Sequence, residues 1–282
     1  ALKGSADITI GNVIGSNILN VLVILGTSAA ITRLKVAKST IKIEIPFMLA
    51  VTALLYVQGL DGVVTLMDGA LLAAVFGAYL FYLYIFTKQA DPVEETEEVA
   101  GYPIGQALLW TVAGLALIMT GSNVTVGAAT EIATYAGLSE RFIGLTIVAF
   151  GTSAPELVIS VMAALGGSAD MAIGNVVGSN IANALLILGV CSIFAPVAFT
   201  KSNIRRDIPL NIAVSIALLV VAYTSGAIRR VEGILLLMGY VAMMFYSVRA
   251  ERKAMSSEEQ PAQNMSMWRV LLLIVAGLAG LI

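Results

Sequence analysis

The chain has 282 residues, of which 59% are hydrophobic and only 12% charged, with a formal net charge of −2. A soluble domain carries about 25% charged residues, so the composition points to a protein that lives in a bilayer. The absence of histidine excludes histidine-based catalysis and His-ligated metals. No basic tract suggests a nucleic-acid partner.

Apolar runs follow one another near 8–30, 43–60, 66–88, 104–132, 141–165, 171–197, 207–225 and 230–248, with a shorter piece at 268–282. Most are at or near the ~18–20 residues that cross a bilayer as a helix. They are continuous rather than alternating, which favours helices over a β-barrel. The stretches 88–103 and 249–267 are charged, contain proline and read as solvent linkers. Within the first, "DPVEETEEV" at 91–99 is acidic. Cys191 stands alone in an apolar run and is expected to be structural. Trp110 and Trp268 suit the interfacial belt. Asp7 and Asp170 are expected at helix starts.

A shift of 163 residues lays "ALKGSADITIGNVIGSNILNVLVILG" (1–26) on "ALGGSADMAIGNVVGSNIANALLILG" (164–189), with seven differences in 26 positions. The match continues from "KSTIKIEIP" at 38–46 to "KSNIRRDIP" at 201–209. Shared hydrophobicity does not place Gly, Asn, Ser, Lys and Pro in register over that distance. The same shift pairs "VAGLA" at 275–279 with "VAGLA" at 112–116. One period holds an odd number of membrane segments, so successive copies enter the membrane in opposite senses. That inverted repeat is the architecture of many secondary transporters, with a binding site at the midplane. Basic residues follow both copies, Arg33, Lys35, Lys38 and Lys42 in one and Lys201, Arg205 and Arg206 in the other. The positive-inside rule therefore does not orient the chain.

Each copy carries a polar stripe at helical spacing: Asn12, Ser16 and Asn20, then Asn175, Ser179 and Asn183. A G-x-x-x-G pair, Gly11 and Gly15 or Gly174 and Gly178, accompanies each stripe and lets another helix come close. The segment before the second stripe reads "VAFGTSAPELVIS", 148–160. Glu156 sits there in an otherwise uncharged apolar run, where an acid costs on the order of 2.5 kcal/mol or more and marks function by default. Thr152, Ser153 and Ser160 lie one turn to either side. Pro155 leaves the Gly151 carbonyl without its helical donor and is expected to kink the helix. Carboxylate, hydroxyl, amide and carbonyl oxygen suit hard cations such as Ca²⁺ and Na⁺. Glu44 and Asp207, each just before Ile-Pro, read as interfacial charges at a membrane entrance.

"GTSAPEL" followed by "GNVVGSNIAN" resembles the α-repeat of the cation/Ca²⁺ exchanger superfamily, in particular the prokaryotic Na⁺/Ca²⁺ exchangers. The resemblance implies an all-α polytopic membrane protein built as an inverted-topology repeat of five-helix halves. On it, 1–88 is the remainder of the first half (helices three to five), 89–103 an acidic linker and 104–248 the second half (helices six to ten). Residues 249–267 form a second linker and 268–282 an extra apolar segment. The first half is expected to be truncated at its N-terminus, because its copy of "GTS-x-PE" is absent. Carried over by motif, Glu156, Thr152, Ser153 and the Ala149 carbonyl would hold the cation from one helix, with Ser179 and Asn183, and Ser16 and Asn20, from two others. Many relatives carry Asp at the position of Asn183.

The implied function is secondary antiport of Ca²⁺ for Na⁺ by alternating access, with both ions as cargo and no prosthetic group. A Ca²⁺ (or Na⁺)/H⁺ antiporter, and behind it a cation channel, are the alternatives. An enzyme lacks support, since there is no serine nucleophile with a base and no pair of facing aspartates. A multi-pass protein of the inner (plasma) membrane is expected, with the lipid bilayer and small cations as its partners.

Overall fold

A computed structural model describes residues 6–89 and 140–255, with 103–106, 108–110, 112–114, 117, 120 and 127 between them. Among the described residues seven helices are long and apolar enough to cross a membrane: α1 (Ile8–Ile31), α2 (Thr40–Asp61), α3 (Leu66–Phe86), α4 (Gly144–Leu165), α5 (Ala169–Phe194), α6 (Asn203–Ser225) and α7 (Arg230–Arg249). A shorter apolar helix, Ile104–Gly114, lies within the expected 104–132 segment. α7 continues as helix to Met255, past the boundary expected at 248. The acidic stretch 91–99, residues 256–267, Trp268 and the apolar piece 268–282 lie outside the described residues, as does the side chain of Asp7.

Helices dominate because a bilayer offers no water to the backbone, so each segment must satisfy its own N–H and C=O groups. Burial then sorts the helices. In α1, 78% of the most apolar window is inside the protein, against 11% in α3. α1 is therefore the centre of the bundle, while α3 presents Phe81, Tyr84 and Phe86 outward.

Contacts along α1 fix the directions of the other helices. A Cβ on Gly144 would stand 2.6 Å from the Ile8 carbonyl oxygen, and one on Gly15 would stand 2.5 Å from that of Leu145. Ser16 reaches Ala149 and Thr152. Numbers rise together, so α4 runs parallel to α1. α5 follows α4 through a short turn at Gly167, where φ is +81°, and returns antiparallel. α1 and its sequence copy α5 thus run in opposite senses, which is the inversion the odd period calls for.

Cross-packing between the copies is reciprocal. A Cβ on Gly69 of α3 would lie 2.7 Å from the Gly189 carbonyl oxygen of α5, and one on Gly233 of α7 would lie 2.8 Å from that of Gly26 on α1. Gly26 and Gly189 are equivalent under the 163-residue shift, and Gly69 and Gly233, 164 apart, each follow by seven residues a turn glycine, Gly62 or Gly226. Without a hydrophobic force between helices in lipid, such close backbone approach is what van der Waals packing uses.

Two minimal β-ladders, which the all-α expectation does not contain, repeat the exchange. β1 (Leu34–Lys35) pairs antiparallel with β4 (Ala227–Ile228), and β2 (Val63–Val64) with β3 (Val197–Ala198). β1 follows α1 and β3 follows α5, so each copy lends its strand to the other. Gly62 and Gly226 turn the chain into β2 and β4 with φ of +90° and +60°, which only glycine adopts without strain.

Single π-helical stretches recur at equivalent places: Asn20–Leu25 with Asn183–Ile187, and Thr40–Glu44 with Asn203–Asp207. A further one, Gly144–Val148, opens α4. π-helical insertions inside α-helices are frequent at functional sites. α4 continues as helix through Pro155.

Candidate cation site

Ser16, Thr152 and Ala149 meet where α1 lies along α4. The Ser16 hydroxyl is 3.3 Å from that of Thr152 and 3.5 Å from the Ala149 carbonyl oxygen, to which it donates. Asn12 Oδ1 accepts from Thr152 at 2.9 Å and lies 3.4 Å from the Ser16 hydroxyl, an alternative acceptor for its proton. Thr152 Oγ1 also lies 2.9 Å from the Val148 carbonyl oxygen. A turn further along the same two parallel helices stand Asn20 and Glu156.

Glu156 Oε2 is buried and has no hydrogen-bond partner among the described residues. Glu156 is the one formal charge between Gly144 and Leu165. Its backbone carbonyl accepts from Asn175 of α5 at 3.1 Å, and the same amide reaches the Ser160 hydroxyl at 2.9 Å. Asn175 thereby clamps α5 onto α4. Ser179 and Asn183 follow one and two turns later, back along α4 towards Thr152. Ser153 is buried on α4. Among the described residues the Ser179 and Ser153 hydroxyls make no hydrogen bond.

The third cluster lies where α1 crosses α5. Asn17 donates to the Asn180 carbonyl at 3.3 Å, and Asn180 donates to the Asn17 carbonyl at 3.1 Å. Asn20 donates to Asn180 Oδ1 at 2.9 Å, and Asn183 donates to Asn17 Oδ1 at 2.9 Å. Each bond has its copy under the repeat, so the pseudo-twofold axis passes through this set. Asn17 and Asn180 escaped the reading by helical stripe, because each lies about 100° around the helix from its neighbouring stripe serine. Their identity under the shift was the available signal.

Asp207 is not a solvated interfacial charge. It is buried, with Asn203 Nδ2 at 3.3 Å and Arg206 Nε at 3.2 Å. Its equivalent Glu44 is half-buried and accepts from Thr40 at 3.0 Å. Both acids close the π-helical stretches at the starts of α2 and α6. Asp170 lies in the first turn of α5 and makes no capping bond, so the N-terminal dipole is its favourable interaction.

Among the described residues no three His, Cys, Asp or Glu side chains cluster. The donor set around Glu156 is one carboxylate with hydroxyl, amide and carbonyl oxygens, which is hard-cation chemistry. Two antiparallel copies interlocked around such a membrane-buried acid define a multi-pass secondary transporter.

The family model described as sodium/calcium exchanger protein matches residues 1–85 and 106–249. The chain belongs to the sodium/calcium exchanger family, a family of transporters. It is 38% identical to CaxA of Alkalimonas amylolytica over 254 residues, which is 87% of this chain and 80% of that one. It is 30% identical to the sodium/calcium exchanger MaX1 of Methanosarcina acetivorans over 284 residues, covering 86% of this chain and 81% of that one. A solved structure of the sodium-calcium exchanger NCX_Mj superposes with a TM-score of 0.66 at 33% identity, over 85% of this chain and 76% of that one.

Proposed function

We propose that the protein exchanges Ca²⁺ for Na⁺ across an inner (plasma) membrane by alternating access. Glu156, Thr152, Ser153 and the Ala149 carbonyl contribute cation ligands from α4, Ser16 and Asn20 from α1, and Ser179 and Asn183 from α5. The observation that carries this reading is the Glu156 carboxylate oxygen, buried near the middle of the membrane-length helix α4 with no donor among the described residues. An ionised oxygen in that position demands a cation. Ca²⁺ seeks about 6–8 oxygens, and three helices with hydroxyl, amide and carbonyl groups converge to supply them. Na⁺ and Ca²⁺ compete for the same carboxylate, so occupation by one releases the other, which is the coupling an antiporter needs.

The pseudo-twofold also indicates where a second acid belongs. Gly15 packs against α4, while no described residue lies within 4 Å of a Cβ on its equivalent Gly178, or on Gly174. A helix carrying a second "GTS-x-PE" and seated on Gly174 and Gly178 would stand to α5 as α4 stands to α1. It would bring a second carboxylate to the axis.

The test is Ca²⁺ uptake into vesicles containing the full-length protein. An outward Na⁺ gradient is expected to drive uptake without a pH gradient. Uptake driven by a pH gradient alone would replace this reading with Ca²⁺/H⁺ antiport. Uptake that ran down the Ca²⁺ gradient without any counter-ion would make the protein a channel.

A further inference from the structure

We propose that Asn17 and Asn180 are positioning residues of the ion site, each fixing which atom of a site asparagine faces the cation. The inference rests on the reading of Asn20 and Asn183 as ligands.

Donors and acceptors are forced throughout this cluster. A backbone carbonyl only accepts, so the Asn180 side chain must aim its NH₂ at the Asn17 carbonyl, and the Asn17 side chain its NH₂ at the Asn180 carbonyl. Their Oδ1 atoms are then turned the other way. An amide oxygen also only accepts, so Asn20 and Asn183 must each present NH₂ to it. Four amides are thus oriented by two main-chain carbonyls, with no free choice at any step.

The outcome is a carboxamide oxygen at each site asparagine that faces away from the lock. For Asn20 that oxygen is buried in a side chain only 1% exposed, and it has no donor. A buried acceptor left unpaired is unfavourable unless something positive meets it. A flipped amide would offer NH₂ to the ion and repel it, so the lock sets the sign of the dipole at the site. The arrangement also crosses between copies: Asn17 on α1 orients Asn183 on α5, and Asn180 on α5 orients Asn20 on α1.

The test uses Na⁺-driven ⁴⁵Ca²⁺ uptake by the full-length protein in vesicles, comparing KM for Ca²⁺ with the maximal rate. Asn17→Ala and Asn180→Ala are each expected to raise KM about fivefold, the effect of roughly one lost hydrogen bond. Asn17→Ala should add nothing in an Asn183→Ala background, nor Asn180→Ala in an Asn20→Ala background, because each acts through that partner. Asn17→Ala leaves the Asn17 carbonyl, and with it the orientation of Asn180, in place. It should therefore multiply with Asn20→Ala. If Asn17→Ala and Asn183→Ala multiply in KM instead, the positioning role is overturned while the ligands stand. If Asn20→Ala and Asn183→Ala leave KM unchanged for both ions, the ligand reading itself fails. Should Asn17→Ala run as aggregate on size exclusion, Asn17→Ser, which fills the crossing but cannot hold both partners, takes its place in the cycle.

Discussion

At Glu156 the bilayer, the helix and the neighbouring side chains all act on one carboxylate. No described residue donates to its Oε2, so its charge is available to a cation. Glu156→Gln keeps the shape and removes the charge. Leaving a buried ion without its partner costs about 3–5 kcal/mol. Ca²⁺ uptake at subsaturating Ca²⁺ is expected to fall by roughly 100- to 5,000-fold, measured on variant protein that still elutes as a single species. Full transport by that variant would remove Glu156 from the site. Ser16 is a gentler probe. Ser16→Ala deletes one ligand oxygen and its contacts to Thr152 and Ala149, and a loss of about 1 kcal/mol should raise KM roughly fivefold without lowering the melting temperature by more than a few degrees.

Between elements, close backbone contact does what side-chain burial does in water-soluble proteins. The neighbours of a Cβ on Gly233 would be main-chain atoms, Ala30 N at 2.7 Å and Gly26 O at 2.8 Å. These cannot swing aside, so Gly233→Leu must push α7 off α1, and Gly69→Leu must push α3 off α5 by the same geometry. Overpacking of this kind costs about 1–3 kcal/mol or more, and both variants are expected to lose thermal stability in detergent. Gly77, on the lipid-facing side of α3, has nothing within 4 Å, and Gly77→Ala should melt within about a degree or two of the parent, a change under roughly 0.5 kcal/mol. These contacts also show what was legible beforehand. The helices could be placed because long apolar runs have one solution in lipid, and Glu156, Ser16 and Thr152 because helical spacing puts them on facing stripes. The π-helical stretches at Asn20 and Asn183 were not legible, since a hydrogen bond shifted from i+4 to i+5 leaves no residue signature. The two-residue ladders were too short to show a period. Asn17 and Asn180 hid because their partners lie 160 or more residues away, where spacing within one helix is silent.

For the whole molecule, the helix directions make a claim about sidedness that contacts within one element do not test. α1 ends at the face where β1 pairs with β4, and α5 ends at the opposite face, where β3 pairs with β2. Lys35 and Ala198 hold the same place in the repeat, the second residue of β1 and of β3, and both are exposed. If the copies are inverted, a cysteine at one must face the opposite compartment from a cysteine at the other. In a chain whose native Cys191 has been replaced by serine, Lys35→Cys and Ala198→Cys are expected to react with a membrane-impermeant maleimide from opposite sides. One should label in intact cells and the other only in inverted vesicles. Val63→Cys, on the strand paired with Ala198, should behave as Ala198→Cys does. Labelling of Lys35→Cys and Ala198→Cys from the same side would break the pseudo-twofold. With it would go the argument that two inverted copies converge on one midplane site, because reciprocal bonds such as Asn17 to Asn180 and back fit a twofold axis of any direction, and only the opposed directions of α1 and α5 lay that axis in the membrane plane.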